Sequence, residues 1–299
     1  TNNQFLKYYE AMIDPDAELL RKLSITQQQV DEAKDCEIVD DCLILKSKKY
    51  AEDKFQKKKD FVSVYSSALQ VMPYRMFFEC QKLKAAFLPN LSQTNASESN
   101  MLGIDGNFYN CSKLAEFCAP RLQKVPTGCF GKCRSLRTIF LFGAQRICTS
   151  AFEECNWLKR AVFPNLTELE CFSFNFNQKL EEFDAPNLLW AESQPFYKCK
   201  SLECVNVPKS VRLQCERDCK TCFICKCEVG QTLERGKQLI KRPMMKFMGK
   251  MQNQWMCFDL VAGRLNEIQS AKKQQAQELT ELFSLVSKLL ERVVNEGVE

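Results

Sequence analysis

Histidine is absent from all 299 residues. That removes the commonest general base, the Ser–His and Cys–His pairs, and every histidine-ligated metal site. No P-loop and no G-x-G-x-x-G occurs. The paired acids Asp40-Asp41 and Glu181-Glu182 are adjacent in sequence and offer no converging carboxylates. No uncharged apolar run approaches the roughly 18 residues that a membrane-crossing helix needs. No signal peptide is visible from Thr1 onward. Charge of one sign is also lacking: 42 Lys and Arg stand against 37 Asp and Glu, a net +5 that makes no case for nucleic acid. These absences together predict a chain that is not an enzyme and needs no cofactor.

What the chain has is a period. Phe108, Phe130, Phe152, Phe174 and Phe196 follow one another at a constant step of 22 residues. Cys111, Cys133, Cys155 and Cys199 each stand three residues after their Phe, and Asn177 takes the Cys position in the unit at 174. Within the unit at 152, Leu158, Ala161 and Phe163 precede Pro164-Asn165-Leu166, and Leu169 and Phe172 follow. Apolar residues two apart just before the Pro have strand spacing, and the Pro ends the strand because it has no N–H to give. A turn and a second short apolar segment return the chain to the next Phe. One strand per unit then stacks into a parallel sheet along a solenoid.

The pattern extends upstream to Phe77 and Cys80, with nine extra residues before Phe108 that fall in the polar stretch 92–100 and predict an inserted loop. A worn unit covers 55–76, so about seven units occupy 55–211, more than the roughly three a stable stack requires.

These residues resemble the BspA-type (treponemal-type) leucine-rich repeat. The resemblance implies a leucine-rich-repeat solenoid, a β-rich right-handed superhelix, acting as a binding scaffold, and it names no ligand. Its departures are Asn177 for Cys and Phe142-Gly143 for Pro-Asn.

The solenoid is expected to bind a protein partner through outward residues of its strands. In L-x-x-I-x-L the residues on either side of Ile point away from the core. They give Phe87, Glu116, Phe140, Arg160, Val162, Glu182 and Asp184 as the binding set, with Phe140, Val162 and Arg160 as anchors.

Eighteen cysteines are present. Those at the repeat position are expected as a ladder of reduced core thiols, since free Cys packs as a small hydrophobe. This favours a cytoplasmic location. The alternative is a secreted or cell-surface adhesin with oxidised cysteines. Cys215, Cys219, Cys222, Cys225 and Cys227 form a second group within 212–230. Four thiolates can close a zinc site, yet the two Cys-x-x-Cys pairs overlap, so a disulfide-bearing or free-thiol cap is the other expectation.

The ends lack the period. Residues 1–54 are expected to cap the solenoid, with a capping box at Thr26 and Gln29 and a short helix over 27–34. One or two strands are expected between 36 and 45. Residues 231–254 are basic and Met-rich, expected as a solvated linker in preference to a membrane-surface contact over 235–251. From 255 to 299 the composition predicts a long amphipathic or coiled-coil helix. Leu279, Leu282, Val286, Leu289 and Val293 step by three and four, a seam for homo-oligomerisation or for docking.

Overall fold

The structure, a computed structural model, describes residues 15–95 and 106–213. The expected zinc or cap cysteines at 215–227, the basic linker and the C-terminal helix lie outside these residues, as does most of the inserted loop.

Two short helices open the described residues, α1 (Pro15–Leu23) and α2 (Gln27–Glu32). Thr26 caps α2: its hydroxyl accepts from Gln29 N–H, and the Gln29 side chain takes the Thr26 N–H in return. An antiparallel hairpin follows, β1 (Glu37–Val39) and β2 (Cys42–Ile44). Asp40 and Asp41 form its turn, both left-handed at φ 47 and 63. Two-residue hairpins favour this turn because its twist matches that of the strands.

Each later coil contributes a three-residue strand. These are β3 (Ser63–Tyr65), β5 (Ala85–Phe87), β7 (Glu116–Cys118), β9 (Thr138–Phe140), β11 (Arg160–Val162), β13 (Glu182–Asp184) and β15 (Cys204–Asn206). A two-residue strand on the return path gives β4 (Val71–Met72), β6 (Gln93–Thr94), β8 (Lys124–Val125), β10 (Arg146–Ile147), β12 (Glu168–Leu169) and β14 (Trp190–Ala191). Coil-to-coil pairings are parallel. The long sheet runs β1-β2-β3-β5-β7-β9, and β11-β13-β15 form a separate ladder.

No ladder joins β9 to β11 among the described residues. Gly143, which replaces the Asn of the Pro-Asn pair, bears on this place. In other coils that Asn reaches back one coil: Asn165 Nδ2 donates to Phe142 O and Asn187 Nδ2 to Pro164 O. At Gly143 the backbone N–H itself donates to Pro120 O at 2.8 Å. A Cβ there would lie 2.6 Å from that oxygen, so only glycine permits the approach. The ladder is broken on the opposite side of β9, toward β11.

The Phe-x-x-Cys segments form the third side. Seven rings stack in a column, Phe55, Phe77, Phe108, Phe130, Phe152, Phe174 and Phe196, with neighbouring centroids 5.0–5.7 Å apart. Near-parallel rings of adjacent coils fill the space that no single coil could close. The turn also holds a left-handed residue in every coil, among them Asn110, Lys132, Glu154, Phe176 and Lys198 at φ 55 to 59. A non-glycine residue there costs about 1 kcal/mol or more. The conformation aims its N–H at the next coil, as in Lys132 N–H to Glu153 O and Glu154 N–H to Asn175 O.

The Cys position has a function beyond filling the core. Its S–H donates to the Phe carbonyl of the preceding coil: Cys80 to Phe55 O, Cys111 to Phe77 O, Cys133 to Phe108 O, Cys155 to Phe130 O and Cys199 to Phe174 O, at 2.9–3.2 Å. Asn177 does the same with Nδ2, reaching Phe152 O and Phe174 O at 2.8 Å. Cysteine and asparagine are interchangeable here as donors. The twelve described cysteines are free thiols. Burial pushes the Cys80 thiol up to about 12, and those of Cys111, Cys133 and Cys155 well above their ordinary value. They are core donors rather than nucleophiles.

Asp35 fastens the first turn of the cap. Its carboxylate accepts from Lys46 N–H and Ser47 Oγ, both at 2.8 Å, and from the Tyr50 hydroxyl. Burial works against its ionisation. The bonds from Tyr50, Lys46 and Ser47, with the charge of Lys54, outweigh burial and bring its pKa down to about 2. The folded value lies below the unfolded one near 3.9, so its contribution is present above about pH 4 and is lost as pH falls toward 2. In Asp35→Asn, urea midpoints should fall less between pH 5 and pH 2.5 than in the wild type. An identical acid limb in both proteins would refute this role for Asp35.

Candidate surface for partner binding

The outward residues of the long sheet were expected in solvent. The structure corrects this for the first half. Phe87 is 1% exposed and Phe140 6%, and Tyr65 and Cys118 beside them are buried as well. The N-terminal helix explains it. Lys22 on α1 holds its ammonium 5.9 Å from the Phe87 ring centre and 5.7 Å from that of Phe140. The same ammonium meets Glu116 Oε2 at 3.5 Å. Leu19, Leu20, Leu23 and Ile25 are buried. The helix thus lies over β5, β7 and β9, and the chain itself occupies the apolar half of the face. Phe87 and Phe140 are therefore not free anchors, and Glu116 is a half-buried partner of Lys22.

The second half of the face is half-exposed. Arg160 Nε meets Glu182 Oε2 at 3.2 Å across β11 and β13, in the register that sets Arg160 opposite Glu182. Asn206 Nδ2 donates to Asp184 Oδ1 at 2.8 Å. Burial raises the Asp184 pKa, the bond from Asn206 opposes this, and the charge of Glu182 adds to it. Val162 is half-buried between the two polar pairs. Arg160, Val162, Glu182 and Asp184 are thus brought together as one patch over two coils. Cys204 beside them is buried.

Residues 104–224 match the model of the BspA type leucine rich repeat region, in six copies. Over those residues the repeats are similar to the BspA type. Among solved structures, a leucine-rich repeat protein from Bacteroides ovatus is similar at 18% identity, covering 58% of this chain and 43% of its own, with a TM-score of 0.38. A leucine rich cell surface protein from Faecalibacterium prausnitzii aligns at 12% identity, over 56% and 49%, with a TM-score of 0.37. The leucine-rich repeat protein of Treponema pallidum gives 16% identity, 61% and 84%, and 0.43. The chain spans less than half the length of the first two. No curated protein is significantly similar to it.

The covered half of the strand face belongs to the N-terminal coils and the open half to the C-terminal ones. Outward positions carry the reason in their own residue types. Tyr65, Phe87, Cys118 and Phe140 are apolar and covered, whereas Asp184 and Asn206 are polar and half-exposed. A run of apolar residues on the outer face of successive repeats was the signal for a docked segment. Among the described residues, no group of three or more acids and cysteines is placed to hold a metal. No helix among them is long and apolar enough to cross a membrane.

Proposed function

We propose that the chain is a non-enzymatic scaffold that binds a protein partner through the open half of its outward strand face. The supporting observation is the contrast between the two strand ladders: α1 covers β5 to β9, and Arg160, Val162, Glu182, Asp184 and Asn206 stand half-exposed over β11 to β15. Val162 offers a small apolar centre, and the flanking Arg160–Glu182 pair can exchange its partner for one on the bound protein. An exposed pair of this kind is worth at most about 1 kcal/mol, so its rearrangement costs little. Binding of this kind needs no cofactor.

The test is capture by the full chain. Val162→Asp with Arg160→Ala should abolish capture of the proteins that the wild type retains, with the thermal midpoint nearly unchanged. Capture that survives the double change would overturn the assignment.

The C-terminal segment with Leu279, Leu282, Val286, Leu289 and Val293 is proposed to add self-association or tethering. Location is decided by thiols outside the ladder. The buried ladder thiols are satisfied donors in either compartment, so they do not discriminate. Cys36, Cys171 and the group at 215–227 do. If these are reduced in protein isolated from its source, the cytoplasmic placement holds, and their oxidation supports the cell surface.

A further inference from the structure

One edge of the solenoid, between the Phe-x-x-Cys turn and the three-residue strand, carries cations without a carboxylate partner among the described residues in four of five successive coils. Lys82 and Lys84 stand in the coil of β5, Lys113 in that of β7, Arg137 in that of β9, Trp157 in that of β11 and Lys179 in that of β13. Coil-to-coil bonds keep this edge in step on either side of the break, as in Arg137 N–H to Ala115 O before it and Glu181 N–H to Lys159 O after it.

These cations differ from several others along the repeats. Lys57, Arg134, Arg146, Lys159 and Arg160 each meet a carboxylate of a neighbouring coil. Among the described residues none of Lys82, Lys84, Lys113, Arg137 and Lys179 meets one. Arg137 and Lys179 instead lie over the Trp157 ring, at 4.8 and 3.1 Å from its centre. Trp157 is 44% exposed. A ring holds a cation by its quadrupole and leaves the charge uncompensated. Arg137 is exposed and Lys179 half-exposed beside that ring.

We propose that this strip docks an extended acidic peptide segment lying along the solenoid axis. The proposal rests on the scaffold function above and names the chemistry of one partner segment. Four coil steps of about 4.8 Å give a strip of about 19 Å, which at about 3.3 Å per residue suits about six residues. Trp157 already carries cations, so the ligand is held by charge and not by stacking on that ring.

The test uses dye-labelled hexaglutamate and the full chain, with fluorescence anisotropy as readout. Binding should weaken at least about tenfold between 50 and 300 mM NaCl, because exposed charges are screened. Lys113→Glu with Arg137→Glu and Lys179→Glu should weaken it at least about tenfold at low salt. In a Trp190→Phe, Trp255→Phe background, the emission of Trp157 should shift on binding. The salt and emission arms use unreversed charges, so they stand even where the triple variant fails to fold. No hexaglutamate binding, or binding that ignores the triple variant, overturns the proposal. Binding of heparin or polyphosphate without hexaglutamate overturns it as well, since the strip would then take another polyanion. If hexaglutamate fails while capture still depends on Val162 and Arg160, only the strip falls. If capture ignores the Val162 and Arg160 changes while hexaglutamate binds, the face assignment falls instead.

Discussion

Phe152→Ala should split the solenoid into two separately unfolding halves. Phe152 is fully buried and stacks on Phe130 at 5.1 Å and on Phe174 at 5.0 Å, with Phe163 tilted against it at 6.0 Å. Truncating such a ring costs about 3–5 kcal/mol through lost burial and the cavity left behind. Location enlarges the effect. In a repeat array, stability is a sum of each coil's own term and its coupling to its neighbours. The coupling at this junction lacks the strand ladder, because β9 and β11 do not pair. It is carried by the Phe column, by the β10–β12 pairing and by turn bonds such as Phe130 N–H to Ala151 O. Removing the ring takes away the largest of these. In a Trp255→Phe background, urea denaturation followed by tryptophan emission reports Trp157 and Trp190, both beyond the break. Circular dichroism reports both halves. In the variant the two curves should separate, with the emission midpoint at lower urea. Coincident curves with a loss under about 1 kcal/mol would refute the junction.

The positions of the strands were legible in the sequence because the signal is local. Leu136, Ile139 and Leu141 repeat at strand spacing in every unit, and the three-residue strands fall on the central Ile and its two neighbours. The turn ladder was half legible. A buried Cys three residues after Phe reads as core, and its carbonyl partner one coil back cannot be seen from within a single unit. Asn177 was the clue, since a polar residue survives at a buried repeat position only with a hydrogen-bond partner. The covered half of the face was missed for a different reason. Its cover is α1, far from Phe87 and Phe140 in sequence and without the repeat's period. Docking of that kind leaves no periodic trace in the helix. It does leave one in the sheet, as successive outward apolar residues at Tyr65, Phe87, Cys118 and Phe140. The uncompensated cations were invisible in composition and spacing, because pairing with a carboxylate depends on which residues stack across coils.

Asn177→Leu should cost about 1–3 kcal/mol, and Asn177→Cys should recover most of it. Asn177 is fully buried, and among the described residues Phe152 O takes its hydrogen bond from Asn177 Nδ2 alone. The neighbouring carbonyl, Phe174 O, also receives the Cys199 S–H and so keeps a donor. Leucine has nearly the shape of asparagine and fills the site, so the change isolates the hydrogen bond from the packing. It leaves one buried carbonyl without a donor, and the cost is the desolvation penalty of that group. Cysteine supplies one S–H in the geometry that Cys155 already uses toward Phe130 O at 3.2 Å. It also removes the amide oxygen of Asn177, which has no donor of its own. By contrast, Cys155→Ala leaves Phe130 O with the Cys133 N–H, so its donor loss is cheaper than that of Asn177→Leu. Equilibrium urea denaturation of the three variants checks the order. Asn177→Leu as stable as the wild type would show that the carbonyl finds another donor, and the donor ladder would then be packing alone.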